Sequence, residues 1–193
     1  DVKHLALSEV KVNQPPQIIF AGRFVHQKNP IAIVHILSQL KDLDWQCTML
    51  GDGPMLEDVK QEIEKAGMNE RFGLPGWVTP EEVLEHFSKS DILFMPSYFE
   101  GLPVVGVQAL AKGLAIVASR IGGFLDLVDE NRNGYLIDVR DNRVFAEKLH
   151  MIISNPSLLL KLREASLKKS QDFDIQKIAD QYQTIFQEVL NDK

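Results

Sequence analysis

What most limits how this chain can fold is an alternation: short apolar runs recur between longer segments of helical period. The runs are Ile18 to Ala21, Gln46 to Leu50, Phe72 to Leu74, Ile92 to Met95, Ala115 to Ala118 and Tyr135 to Ile137. Most are apolar throughout, as strands covered on both faces must be. Between them, Pro30 to Leu40, Pro54 to Ala66, Pro80 to Ser88, Val104 to Lys112 and Val144 to Ile153 each begin at or near a proline, acid or glycine suited to a first helical turn. Thr79 and Glu82 have the spacing of a capping box, and Gly67 and Gly113 stand where helices stop. The alternation predicts an α/β fold, a Rossmann-like doubly wound parallel sheet of about six strands with helices on both faces.

Residues 1–16, ending at Gln14-Pro15-Pro16, read as a lead-in or truncated linker, and residues 17–193 as the domain. Beyond Pro156 the pattern is helix only, so extra C-terminal helices follow the sheet. Behind an Asp174 cap, Ile175, Ile178, Ala179, Tyr182, Ile185, Phe186, Val189 and Leu190 form an apolar stripe that needs a surface to lie on. Part of that surface is expected to lie outside this sequence.

With 193 residues, 45% of them hydrophobic, the chain has enough material for one substantial core. A net charge of -6 argues against nucleic acid or anionic lipid as a general partner but leaves room for a local cationic pocket. The single cysteine, Cys47, excludes an internal disulfide and a Cys-based zinc site, which fits a reducing, cytosolic setting. No apolar run approaches the roughly 18 to 20 residues a membrane span needs. Asp1 to Val12 lacks the order of a signal peptide, so neither spanning nor secretion is expected.

Ligands of open parallel sheets bind beyond the carboxyl ends of the strands, so the residues after each run carry the functional information. After the first come Arg23 and Lys28, a planar fork and a mobile point charge suited to a diphosphate; two solvated surface charges are the plainer alternative. After the fourth, Glu100-Gly101-Leu102-Pro103 opens a helix whose free amides suit an oxyanion or hydroxyl. An acid at that point also complements the helix dipole without any ligand.

Other patterns exclude chemistries. Gly22-Arg23-Phe24 replaces the Gly-x-Gly-x-x-Gly of a dehydrogenase, and Gly51-Asp52-Gly53-Pro54 lacks the Lys and Ser/Thr of a Walker loop. Asp42-Leu43-Asp44 lies at the amino end of the sheet, and Asp172-Phe173-Asp174 is better explained by capping the last helix, so no metal is expected at either. The histidines show no zinc spacing. His26, between Arg23 and Lys28, is close enough in sequence to approach a phosphate, although an ordinary polar loop position is the simpler reading.

In their order and spacing, several motifs together resemble the C-terminal domain of a family 4 (group 1) retaining glycosyltransferase of GT-B architecture, from Gln17 through Leu190. They are Gly22-Arg23 with Lys28, Gly51-Asp52-Gly53-Pro54, Pro96-Ser97 leading into Glu100-Gly101, Gly122-Gly123, and Asn133-Gly134-Tyr135-Leu136. The resemblance implies transfer of a sugar from a nucleotide-diphosphate donor, taken as a UDP-sugar, with retained configuration and without metal or other cofactor. It assigns the donor diphosphate to Arg23 and Lys28, beside Gly22 and the helix mouth formed by Gly101, Leu102, Pro103 and Val104. The family's Glu-x7-Glu motif falls on Glu100 for the sugar hydroxyls and on Gln108 for the ribose, an amide in place of a carboxylate. Asp126 likewise replaces the family's usual glutamate, and the base is expected against Leu74, Pro75, Gly76 and Trp77, although Trp77 also suits simple packing. Arg23, Lys28 and Glu100 are thus the expected catalytic set.

A GT-B enzyme has two Rossmann-like domains, so this chain is expected to be the donor half, inactive without an N-terminal acceptor-binding domain. The full-length enzyme is expected in the cytoplasm, with a peripheral position at the inner face of the membrane as one setting and polysaccharide or lipopolysaccharide assembly as its pathway. Two further functions fit less of the sequence. One is a noncatalytic nucleotide-sugar-binding or regulatory module, which Gln108 would suit. The other is a GT-B sugar-nucleotide epimerase, which needs catalytic carboxylates and histidines not evident here. A longer upstream reading frame with its own strand-helix repeats favours the enzyme, and a natural start near Asp1 favours the module.

Overall fold

The computed structural model describes residues 5–7 and 9–191. Six strands, β1 (Gln17–Ala21), β2 (Gln46–Leu50), β3 (Phe72–Gly76), β4 (Ile92–Met95), β5 (Ala115–Ser119) and β6 (Gly134–Ile137), form one parallel sheet in the order β3-β2-β1-β4-β5-β6. This is the doubly wound order expected from the alternation. β4, β5 and β6 are buried along their whole length, which is why their sequences carry no polar alternation. β3 is the edge strand, half-buried and exposed by turns, and there the sheet tolerates Pro75. It runs two residues past Leu74 because Gly76 pairs with Leu50 across a register shift.

The helices are α1 (Pro30–Leu37), α2 (Leu56–Lys65), α3 (Pro80–Ser88), α4 (Val104–Ala111), α5 (Phe124–Leu127), α6 (Asn142–Ile153), α7 (Pro156–Ser170) and α8 (Ile175–Asn191). α2 starts later than Pro54 because the turn through Gly53, at φ 155°, is not yet helical. α6 starts earlier than Val144 because the Asp141 carboxylate accepts the Val144 N–H at 3.0 Å and caps the preceding turn. The capping box on α3 is present: Thr79 Oγ1 accepts from the Glu82 N–H at 3.2 Å, and Glu82 Oε2 accepts from the Thr79 N–H at 2.7 Å. The Thr79 backbone N–H holds the Glu82 carboxyl below its ordinary pKa. That contribution to stability is present at neutral pH and is lost as acid protonates Glu82.

Ile18, Ile19, Phe20, Phe94, Ile116, Val117 and Phe145 are central to a continuous core between the sheet and its helices. Trp45 is fully buried in it, its indole N–H donating to the Leu40 carbonyl at 2.8 Å while the Arg71 guanidinium lies 5.0 Å over its ring. Cys47 is buried as well, and burial pushes its thiol pKa well up, so it is no nucleophile.

At the amino edge of the sheet, packing begins before Gln17. The buried Asp91 carboxylate accepts from the Asn13 N–H at 3.1 Å, the Asn13 side-chain amide at 3.0 Å and the Gln17 N–H at 2.7 Å, and it pairs with the Arg163 guanidinium. Arg163, from α7, also donates to the carbonyls of Gly113 at 2.8 Å and Lys11 at 2.5 Å. One ion pair therefore joins the lead-in, the start of β4, the end of α4 and the C-terminal helices. On α8, Ile175, Tyr182 and Phe186 are exposed and Ile178 is half-buried, whereas the side chains of Ile185, Val189 and Leu190 lie outside the described residues. Among the described residues, no helix is long and apolar enough to cross a membrane.

Candidate functional site

The strand order reverses between β1 and β4, so the loops leaving those two strands diverge and border a crevice at the carboxyl edge. The β1 loop is sewn to the β2 turn: Gly22 N–H donates to Leu50 at 3.0 Å, Phe24 N–H to Asp52 at 2.9 Å, and Met55 N–H to Phe24 at 3.0 Å. Gly51 sits at φ 127°, where a Cβ would lie 2.0 Å from the Gly22 carbonyl oxygen, so only glycine lets these loops touch. The Gly51-Asp52-Gly53-Pro54 turn is thus a spacer that sets the height of the β1 loop.

The β4 loop closes on the β1 loop from the other side. Tyr98 N–H donates to the Gln27 carbonyl at 2.8 Å, the Gln27 side-chain amide donates to the Phe99 carbonyl at 2.9 Å, and the rings of His26 and Tyr98 stack with centroids 4.9 Å apart. Behind this seam the Lys28 ammonium reaches both oxygens of the Glu100 carboxylate, at 2.5 and 2.7 Å. The Ser97 hydroxyl donates to Glu100 Oε1 at 2.8 Å. Glu100 is only 7% exposed, so a cation and a hydroxyl stand in for the water it has lost. The β5 loop supports the same point: a Cβ on Gly122 would lie 2.6 Å from the Glu100 carbonyl oxygen, and one on Gly123 1.9 Å from that of Gly101.

Arg23 is exposed and faces a neighbouring cavity of about 260 Å³, walled by Gly22, Asp52, Trp77, Val78, Val83 and Val105. Trp77 is 73% exposed, so it is a wall of this slot and does not pack into the core. The slot has a guanidinium at its rim and mostly apolar walls, an arrangement suited to a flat, partly apolar ligand that carries an anionic group. At the helix mouth, Gly101, Leu102 and Val104 are exposed and Pro103 is buried, and no side chain caps α4. Its first-turn amides thus have no side-chain cap, although the Gly106 N–H donates to the Pro103 carbonyl at 2.9 Å. Gln108 is half-buried and follows Val104 by one helical turn on the same face.

Residues 6–169 match the family described as glycosyl transferases group 1. The chain belongs to that family. It is 27% identical over 179 residues to an N-acetyl-D-galactosaminyltransferase of Campylobacter jejuni, covering 90% of this chain and 48% of that relative. It is 30% identical over 168 residues to the D-inositol 3-phosphate glycosyltransferase of an Arthrobacter species, covering 84% of this chain and 40% of the other. The chain thus spans less than half the length of these curated relatives. Among solved structures, it superposes with a TM-score of 0.81 and 21% identity on the C-terminal domain of a group 1 family protein from Francisella tularensis, covering 91% of this chain and 98% of that one. It also superposes, with a TM-score of 0.79 and 19% identity, on Anabaena HepE solved in complex with UDP, covering 89% of this chain and 48% of that one. The fold is that of the C-terminal half of a GT-B glycosyltransferase.

Within this group 1 domain, the structure gathers Gly22, Arg23, Lys28, Glu100 and the Gly101 to Val104 mouth on one edge, with Trp77 beside them. It does not bring all of Leu74 to Trp77 to the slot. Leu74 packs against the core, Pro75 is exposed on the edge strand, and the Gly76 carbonyl accepts from Gly51 at 2.8 Å. Val78, Val83 and Val105 line the slot and carry no residue-type signal that would single them out. Ser97 is visible in the sequence as part of Pro96-Ser97, but its bond to Glu100 is not. Of the Asp-x-Asp patterns, Asp42 lies 3.5 Å from His150, Asp172 pairs with Lys177 at 2.9 Å, and Asp174 caps the start of α8 by accepting from Gln176 N–H at 3.1 Å. Among the described residues, no group of three or more His, Cys, Asp or Glu is placed to hold a metal ion.

Proposed function

We propose that this chain is the donor-binding half of a retaining glycosyltransferase that takes a nucleoside-diphosphate sugar, UDP-linked in the simplest case. The observation that carries the reading is the meeting of Lys28 and Glu100 at the switch point, next to a slot with Arg23 at its rim and Trp77 as a wall. Family membership and the UDP in the related Anabaena protein support it. In this reading the base enters the slot against Trp77, the diphosphate lies between Arg23, Lys28 and the α4 amides, and Glu100 meets the sugar hydroxyls.

As the bond between sugar and diphosphate breaks, negative charge grows on the departing oxygen. Fixed donors that hold this charge more tightly in the transition state than in the bound donor lower the barrier. The Arg23 guanidinium, the Lys28 ammonium and the first-turn amides of α4 would supply such donors, so the proposed step needs no divalent metal. The acceptor would enter from a second domain, and without that wall to orient it the chain alone transfers nothing.

Calorimetric titration with UDP tests the binding. Arg23→Ala and Lys28→Ala are each expected to weaken UDP by about tenfold, the loss of one charge-assisted contact. Absence of any heat with UDP, GDP or ADP at millimolar concentration would refute the proposal, and turnover by the isolated chain would refute its division of labour.

A further inference from the structure

Glu100 has two protein partners that a donor would treat differently. Lys28 spans both carboxylate oxygens, whereas Ser97 donates only to Oε1. A diphosphate arriving at this edge competes with Glu100 for the same ammonium. A carboxylate that is only 7% exposed has little water to replace a lost cation. Ser97 is fully buried directly beyond β4, and its one hydroxyl proton points at Glu100. The β5 loop runs close against this backbone, since a Cβ on Gly122 or Gly123 would collide with the carbonyl of Glu100 or Gly101.

Resting on the donor-binding reading above, we infer that Ser97 is a positioning residue: it keeps a donor on Glu100 Oε1 while Lys28 turns to the diphosphate, leaving Oε2 to accept a hydroxyl of the donor sugar. The Lys28–Glu100 pair is then exchanged for a Lys28–diphosphate pair without leaving the buried carboxylate bare. Ser97 touches no part of the nucleotide: its loss weakens UDP only indirectly, by leaving Glu100 without a donor when Lys28 turns away, and weakens a sugar nucleotide through the sugar contact as well.

The test is calorimetric titration of the chain, as wild type, Ser97→Ala and Ser97→Thr, with UDP, UDP-glucose and UDP-N-acetylglucosamine. For Ser97→Ala the UDP Kd is expected to rise by about threefold, because Glu100 loses a donor when Lys28 turns away, while the extra affinity conferred by the preferred sugar falls about tenfold. Ser97→Thr, which keeps the hydroxyl, is expected to recover that affinity to within about threefold. Equal weakening of UDP and UDP-sugar by Ser97→Ala, loss of all binding by that variant, a threonine variant as weak as alanine, or a wild type that binds neither sugar nucleotide more tightly than UDP each overturns the inference. A wild type that binds no UDP overturns the donor-binding reading itself.

Discussion

Asp91→Ala is expected to lower folding stability by about 3–5 kcal/mol, the loss typical of a buried ion pair stripped of one partner. Arg163 is 2% exposed, and burial lowers its pKa below the ordinary guanidinium value even though Asp91 opposes the shift. Without Asp91, a charged guanidinium stays behind in the interior, and the backbone N–H groups of Asn13 and Gln17 lose their acceptor together with it. Since a domain has a total stability of about 5–15 kcal/mol, the variant stands near the limit of folding. Guanidinium unfolding checks this: the midpoint should fall with little change in slope. Adding Arg163→Met should recover part of the loss, because the bare charge is then removed. A loss below about 1 kcal/mol for Asp91→Ala would show that the junction of lead-in and C-terminal helices does not depend on this pair.

Gly123→Ala is the second large effect, and it separates space from backbone conformation. Gly123 has φ -63°, which any residue adopts, so the cost comes only from the methyl group. That methyl would lie 1.9 Å from the Gly101 carbonyl oxygen and 2.6 Å from the Leu102 Cα, backbone atoms that have no rotamer to change. Either the mouth of α4 or the β5 loop must move, and the mouth is the side expected to give. The expected result is an overpacking loss of about 1–3 kcal/mol and a fall in UDP affinity of about tenfold, as the displaced mouth loses a hydrogen bond to the diphosphate. Gly101→Ala is the companion variant. Beyond its chain neighbours its Cβ would meet no protein atom within 4 Å, so it should unfold like wild type while weakening UDP by occupying the mouth. A Gly123→Ala protein with native affinity and native melting would show that the β5 loop yields without disturbing the mouth.

The fold was legible because its determinants are local. An apolar run such as Ile92–Met95 needs cover on both faces wherever it sits, and Thr79 with Glu82 caps a helix from within a single turn. What escaped was short or distant. α5 is four residues long, too short to show a period, and the end of β3 is set by pairing with β2 and not by its own composition. In the candidate site, Arg23, Lys28 and Glu100 were legible as types at the edge where parallel sheets bind ligands. The Lys28–Glu100 bond, however, joins residues 72 positions apart, and the Asp91–Arg163 pair likewise spans 72. No local pattern records which acid a lysine will meet. The Gly122-Gly123 turn was visible as a motif, but its work is to let two backbones touch, and only their approach reveals that.

The two tryptophans occupy opposite surroundings, Trp45 sealed in the core and Trp77 standing in solvent as a wall of the slot. Their emission therefore separates by colour, blue from the sealed indole and red from the solvated one. Quenching at the red edge reports occupancy of the slot, while a shift of the blue component reports loss of the interior, so one unlabelled sample distinguishes a variant that has stopped binding from one that has come apart.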